Sequence, residues 1–422
     1  MSASPSARRE RLLLIVLLSA SLALRAALFP LPGYATDLDT FAAWHAEAAT
    51  NLSGFYGAVW SDYPPLNIHM FALIGRAEGA AGLLGSVAAP FDFTEALFLK
   101  LPQNLVDLGV AALLFLWLRP KGSRIALAGA AAYAFNPATM FNLAVWGQWD
   151  SLYTLFMAGA LVAVLRGRPG TAARWRPGWF EASGVLLALA VLTKPQGVLV
   201  MPVIAYLLLR EGGLRRAVTS GLAAAAAVLA VIAPFQGASN PVAFIAERYF
   251  SGYDVYKETS LNAYNLWALA GMRESDQTVA MGLPLQAWGW LAFLAIAGLL
   301  VWKMHTRYAE AADRDLLLLQ VAFLTVFAFF MVATRIHERY LFPVFALLAL
   351  MWPRGRLLYA ALTGSHLFNL AYALHVLNSG PSVIRDWTIP VVVGFNLGLF
   401  AWVLRRFWKG EPGDPGKAPA AG

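Results

Sequence analysis

The chain contains no cysteine, which excludes disulfides, thiol nucleophiles and thiolate metal sites and leaves the redox compartment unspecified. Charge is scarce as well. Only 13% of residues are Asp, Glu, Lys or Arg, against about 25% in an ordinary soluble domain. The six histidines are scattered, with no His-x-x-x-His or comparable spacing, so a transition-metal centre is not expected. Mg²⁺ or Mn²⁺ held by one or two Asp and a phosphate stays an open alternative. No internal repeat and no soluble domain stand out. The apolar run 12–29 after Arg8, Arg9 and Arg11 is too long for a typical signal core and lacks a clean cleavage site, so it reads as a signal anchor.

What fills the sequence instead is apolar: 59% of 422 residues are hydrophobic and the mean hydropathy is +0.59. The runs are long rather than alternating, so lipid-spanning helices are expected and a β-barrel is not. At about 20 residues per span the chain predicts an all-α polytopic membrane protein of about 12 transmembrane helices. They fall near 11–29, 96–118, 124–144, 150–165, 179–193, 195–209, 214–234, 284–302, 315–333, 340–352, 356–377 and 387–404. Residues 1–409 then form one transmembrane domain, and the Gly-, Pro- and Ala-rich 410–422 tail reads as disordered. The net charge of +8 is explained by basic cytoplasmic loops and does not call for nucleic acid.

Charge placement orients the chain. With the basic N-terminus inside, residues 30–95 become a large first external loop holding an interfacial helix at 66–74, and both termini are cytoplasmic. About 22 basic residues then lie inside, the 166–178 loop contributing four of them. Ten remain that oppose the rule, among them Arg25, Lys100, Lys194, Arg248, Arg339 and Arg385, and such residues usually have a reason.

On this topology the polar islands face outward. They are Asp37/Asp39, Tyr63-Pro64-Pro65, Trp146-Gly147-Gln148-Trp149-Asp150, Lys194-Pro195-Gln196, Glu247-Arg248-Tyr249 with Asn262–Trp267, and Arg335-Ile336-His337-Glu338-Arg339-Tyr340. Each has a plain reading beside a functional one. Asp37 and Asp39 point apart on a helix or a strand, so one is expected to act and the other to cap a helix over 40–48. Tyr63-Pro64-Pro65 is a rigid turn. Trp146 to Asp150 reads either as an aromatic belt or as indoles that stack on a sugar whose hydroxyls Gln148 and Asp150 take. The 337–339 cluster is either a structural ion pair or an anion clamp of His337 and Arg339.

Taken together these motifs resemble the integral-membrane glycosyltransferases of the GT-C type. The resemblance is strongest to the dolichyl-phosphate-glucose-dependent glucosyltransferases of asparagine-linked glycosylation and their bacterial relatives. It is carried by Asp37-x-Asp39 before Trp44, Asp62-Tyr63-Pro64-Pro65-Leu66, Gly147-Gln148 after Asn136-Pro137, Lys194-x-Gln196 and His337-Glu338-Arg339, over about residues 10–345. It implies a GT-C-like bundle and an inverting transfer of a hexose from a polyprenyl-phosphate-sugar donor to a glycan or glycolipid acceptor. Asp37 matches the catalytic base, and Asp39 stands where eukaryotic members have Glu. Candidates for substrate contact are Asp39, Trp44, Asp62, Tyr63, Trp146, Gln148, Asp150, Lys194, Gln196, Arg248, His337, Glu338 and Arg339. Ala42, Ala43 and Trp149-Asp150 depart from the family pattern, which bears on sugar and acceptor rather than on reaction type.

The chemistry fits this implication. An acceptor hydroxyl needs a carboxylate to take its proton as the C1 bond forms, and a departing lipid phosphate gains charge that fixed cations stabilise. No cofactor is required beyond the donor, and no nucleophile motif points to a covalent intermediate. Partners are the lipid-linked donor, the acceptor and membrane lipid. The expected location is the bacterial inner membrane with the site on the extracytoplasmic side. The competing class is a transporter or flippase of a lipid-linked or anionic substrate, which would carry charges near the bilayer midplane; the mid-span stretches are expected to be nearly uncharged.

Overall fold

The computed structural model describes residues 5–83, 93–168, 178–380 and 387–410. The 411–422 tail, Arg174, Arg176 and Arg385 lie outside these residues. Apart from connections, the described chain is helical. Its few strands form two short ribbons: Ser260–Leu261 beside Ile336–His337 in parallel, and Val279–Ala280 with Leu283–Pro284 antiparallel. Among the described residues seven segments are long and apolar enough to cross a membrane: Ala7–Leu28, Phe93–Lys121, Pro195–Ile232, Leu285–Tyr308, Arg314–Val332, Arg356–Ser379 and Thr388–Lys409.

The other expected spans are helical but shorter or broken, for local reasons. Ser151–Arg166 and Trp179–Thr193 are apolar helices below that length. The 124–144 span stops at Ala134 ahead of Asn136-Pro137, since a residue before proline is pushed out of helical conformation. It resumes as Pro137–Met140 and a π-helical Phe141–Trp146. The break expected at Lys194 is present: φ −149° and ψ 141° there end one helix, and Pro195–Val200 follows as a 3₁₀ turn. The 340–352 span contracts to Pro343–Leu350, whose eight residues are all buried. Near 66–74 the helix is longer than expected, running Pro65–Ala80.

The chain divides into two compact units. One comprises Met1–Leu17, Ala111–Thr139 and Lys257–Gly422; the other comprises Leu18–Val110 and Met140–Tyr256. In the first, the Arg314–Val332 helix is buried along most of its length and packs on Leu285–Tyr308, Pro343–Leu350 and Thr388–Lys409. A helix apolar all round belongs in such an interior.

In the second unit Ser151–Arg166 packs on Trp179–Thr193, which in turn packs on Gly213–Ile232. Ala35–Thr50 crosses Pro65–Ala80 so closely that a Cβ on Gly75 would lie 2.1 Å from the His45 carbonyl oxygen, which only glycine allows. Leu38, Phe41, Ala42, His45 and Ala48 repeat at helical spacing and form the buried face of Ala35–Thr50. They join a core with Tyr63, Phe71 and Trp149. Phe71 meets Trp149 edge-on at 4.7 Å and Trp44 meets Tyr63 at 5.3 Å, pairs worth about 0.5–1.5 kcal/mol each beyond the area they bury.

The expectation of nearly uncharged spans is corrected here. Arg25 and Asp107 are both wholly buried and pair at 2.7 Å, and Arg25 also donates to Asn104 Oδ1 at 3.0 Å. Charge is tolerated at such depth when it is neutralised and hydrogen-bonded.

Candidate active site

The site begins where the Ala35–Thr50 helix begins. Gly33, at φ +63°, and Tyr34, extended at φ −113°, turn the chain, and nothing after Pro32 opposes a helix. It therefore starts five residues before the expected 40–48 segment. Tyr34 occupies the N-cap position without a side-chain bond, so the expected capping role of Asp39 is corrected. Both aspartates lie within the helix. Asp37 sits in its first turn, where the unpaired N–H groups favour an anion. Asp39, about 200° round the axis, is exposed.

Asp37 is held through one oxygen. Its Oδ2 accepts from Trp146 Nε1 at 2.9 Å and from Gln148 Nε2 at 2.6 Å. Among the described residues no hydrogen bond reaches Oδ1, and the side chain is half-buried. Both donors come from one turn. The π-helical Phe141–Trp146 ends at Gly147, left-handed at φ +89°, and the Gln148 N–H closes it on the Asn142 carbonyl at 3.0 Å. A Cβ on Gly147 would lie 2.8 Å from Leu38 Cδ2, so the turn rests directly on the Asp37 helix.

A buried ion pair backs that turn. Lys194 Nζ meets Asp150 Oδ1 at 2.5 Å, and Asn142 Nδ2 donates to Asp150 Oδ2 at 2.9 Å. The ammonium also lies 5.5 Å from the ring centroids of Tyr63 and Tyr153. Gln196, beside it in the 3₁₀ turn, has a buried Oε1 with no hydrogen-bond partner among the described residues.

These contacts place several of the expected substrate-contact residues inside the protein. Trp146, Gln148, Asp150 and Lys194 are buried and engaged with the protein, and the indole of Trp146 donates to Asp37. Trp44 is 5% exposed, packs in the aromatic core and donates Nε1 to the Trp60 carbonyl at 3.0 Å. Tyr63 is buried too, and its carbonyl accepts from the Tyr56 hydroxyl at 2.8 Å. Burial raises the Tyr56 phenol well above its ordinary value, which keeps that donor protonated. Asp62 is half-buried, with its Cβ within 3.3 Å of where a side chain on Gly252 would begin. Arg248 pairs with Glu247 and stacks over Tyr56 at 4.8 Å.

The other unit holds the second cluster. Arg339 Nη1 lies 3.0 Å from Glu338 Oε1 and 3.3 Å from His337 Nδ1. His337 pairs with Leu261 in the parallel ribbon. Just before it, Arg335 adopts φ +61° and bonds Asp276 through Nε at 2.7 Å. Asp276, Asn142 and Lys100 were not singled out as site residues by the motifs. Lys100 alone carried a signal, as a basic residue opposing the orientation rule. Among the described residues no three His, Cys, Asp or Glu side chains gather as metal ligands would.

The architecture is that of a multi-pass, GT-C-like membrane protein. A family model described as dolichyl-phosphate-mannose-protein mannosyltransferase matches residues 88–236, which include the Trp146–Gln148 turn and Lys194. ArnT from Cupriavidus metallidurans in the apo state aligns with a TM-score of 0.50 at 15% identity, covering 93% of this chain and 76% of that one. The same protein bound to undecaprenyl phosphate aligns with a TM-score of 0.50 at 16% identity over the same shares. No curated protein matches the chain significantly. The structural likenesses give the fold, a GT-C-like helical bundle, and the family match is confined to residues 88–236.

Proposed function

We propose that the protein is an inverting glycosyltransferase that moves a hexose from a polyprenyl-phosphate-sugar to an extracytoplasmic acceptor, a lipid-linked glycan or another glycoconjugate. The observation that carries this reading is Asp37: a half-buried carboxylate with Oδ2 fixed by two donors and Oδ1 open. A general base must be rigid and must still reach its proton. With Trp146 and Gln148 on one oxygen, the other is aimed without being occupied. The acceptor hydroxyl would give its proton to Oδ1 as its oxygen bonds to C1 of the sugar. The C1–O bond to the lipid phosphate breaks in the same step, and the leaving phosphate keeps the electron pair.

In this reading His337 and Arg339 are the cations for the leaving phosphate, Glu338 orients Arg339, and the exposed Asp39 takes an acceptor hydroxyl. A polyprenyl tail needs an apolar groove. Support comes from one of about 300 Å³ in the unit that carries Asp37, lined by Leu187, Val191, Met201, Leu208, Val228 and Tyr249 among others. That ArnT has been seen with undecaprenyl phosphate supports the same class of donor. The assigned location is the bacterial inner membrane, with the site facing outward and both termini in the cytoplasm. No resident metal or cofactor is assigned.

The test is Asp37→Asn, assayed with a panel of polyprenyl-phosphate sugars. A general base contributes about 10²- to 10⁴-fold, so donor consumption should fall by that factor while expression and donor binding persist. Near-normal turnover in the variant would remove Asp37 from the role.

A further inference from the structure

Lys100 stands on the Phe93–Leu118 helix with no exposed surface. Its ammonium donates to three main-chain carbonyls: Phe29 at 2.9 Å, Leu31 at 2.5 Å and Val145 at 2.9 Å. All three acceptors are main-chain oxygens, so the ammonium is directed at backbone. The carbonyls belong to two segments that both end at Asp37. Residues 29–31 lead through Gly33 into the helix that carries Asp37. Val145 precedes Trp146, in the turn that supplies both donors to the Asp37 carboxylate.

The same two segments touch without side chains. A Cβ on Gly33 would lie 2.6 Å from the Trp146 carbonyl oxygen and 2.9 Å from that of Val145. A Cβ on Gly147 would lie 3.6 Å from Lys100 Cε. The carbonyls at the end of the first helix and of the π-helical segment lack intrahelical partners, and a buried cation that satisfies both at once makes charge-assisted bonds, about twice as strong as neutral ones.

We propose that Lys100 is a positioning residue for Asp37, setting the spacing between the start of the Asp37 helix and the Trp146–Gln148 turn. The inference rests on the reading of Asp37 as the base. Losing the ammonium releases three carbonyls and lets the turn move against the helix. A misplacement of 1 Å costs about 100-fold in rate.

The experiment uses the full-length protein in lipid nanodiscs, with the polyprenyl-phosphate sugar that the wild type consumes as donor. In Lys100→Met, kcat per folded molecule should fall about 100-fold while the donor KM stays near the wild-type value, because the donor itself is not contacted. Gly33→Ala, which wedges the same contact from the opposite side, should show the same split. An activity-free readout accompanies both. With 5-fluorotryptophan in place of the 15 tryptophans, the Trp146 fluorine resonance, assigned by its loss in Trp146→Phe, should move in Lys100→Met and in Gly33→Ala.

An unmoved Trp146 resonance with wild-type kcat in folded Lys100→Met overturns the proposal. So does a raised KM at unchanged kcat, which would make Lys100 a donor-binding group. If Lys100→Met does not fold, Gly33→Ala decides by the same two criteria. If the wild type consumes no donor at all, the transferase reading fails, and the fluorine resonance still decides whether Lys100 positions the turn.

Discussion

The Asp150–Lys194 pair gives a prediction whose size follows from its burial. At 2.5 Å and an effective dielectric of about 20, the Coulomb attraction is about 7 kcal/mol. Stripping water from two ions costs several kcal/mol each, so the pair as a whole is close to neutral for stability while each half alone is not. Lys194→Met keeps the aliphatic stem but leaves a fully buried carboxylate held by Asn142 alone, at a cost of about 3–5 kcal/mol. Asp150→Asn leaves the buried ammonium between Tyr63 and Tyr153 and should cost a similar amount. In the double variant both charges go. The new amide can accept from Asn142 Nδ2 and donate to Asn142 Oδ1, which has no hydrogen-bond partner among the described residues. The double variant should therefore recover most of the loss, with a coupling of more than about 3 kcal/mol, over half of the summed single losses. Thermal unfolding of the purified protein in one detergent gives the order: wild type and double variant together, both single variants well below. If the double variant is as damaged as the sum of the singles, or if either single is harmless, the pair is not the closed structural unit described.

Two other positions give independent tests. Gly147→Ala forces a side chain into a left-handed residue and against Leu38; it should cost about 1–3 kcal/mol and lower turnover more than donor affinity, read from steady-state kinetics. Asp313 caps Arg314–Val332 through the Leu316 N–H at 2.9 Å and meets Arg354 at 2.7 Å. Burial pushes its carboxyl up, but these two partners outweigh it and hold it below the ordinary value. A lowered folded value means the contribution is present above the ordinary carboxylate range and disappears as pH falls through the folded value. The wild type's advantage in melting temperature over Asp313→Asn should hold above the ordinary carboxylate range and shrink as pH falls through and below the ordinary value of 3.8; an advantage that grows on acidification would contradict the assignment.

How far the sequence could be read depended on whether a signal was local. Apolar runs gave the helices, and Asn136-Pro137 and Lys194-Pro195 marked breaks, because proline acts on its immediate neighbour. Asp37 was marked by its motif and stands at a helix start. The roles of Trp146 and Lys194 were not. Nothing in a Trp-Gly-Gln-Trp-Asp string tells an indole that faces solvent from one that donates to a carboxylate 109 residues away, and a lysine at a helix end looks the same whether it meets a phosphate or Asp150. The capping assignment at Asp39 failed for a related reason. The helix start was set by the turn at Gly33, itself pressed against Trp146, a contact that no window of sequence contains.

The Arg25–Asp107 pair bears on how the chain is assembled. The first helix carries a guanidinium within its apolar run, and the carboxylate that neutralises it lies 82 residues later, on the Phe93–Leu118 helix. Until that second helix has been synthesised, the first carries a guanidinium without its carboxylate, which is costly in lipid. Pairing therefore favours placing the two helices together. The residues between them, Asp37 included, belong to the segment that the pair closes.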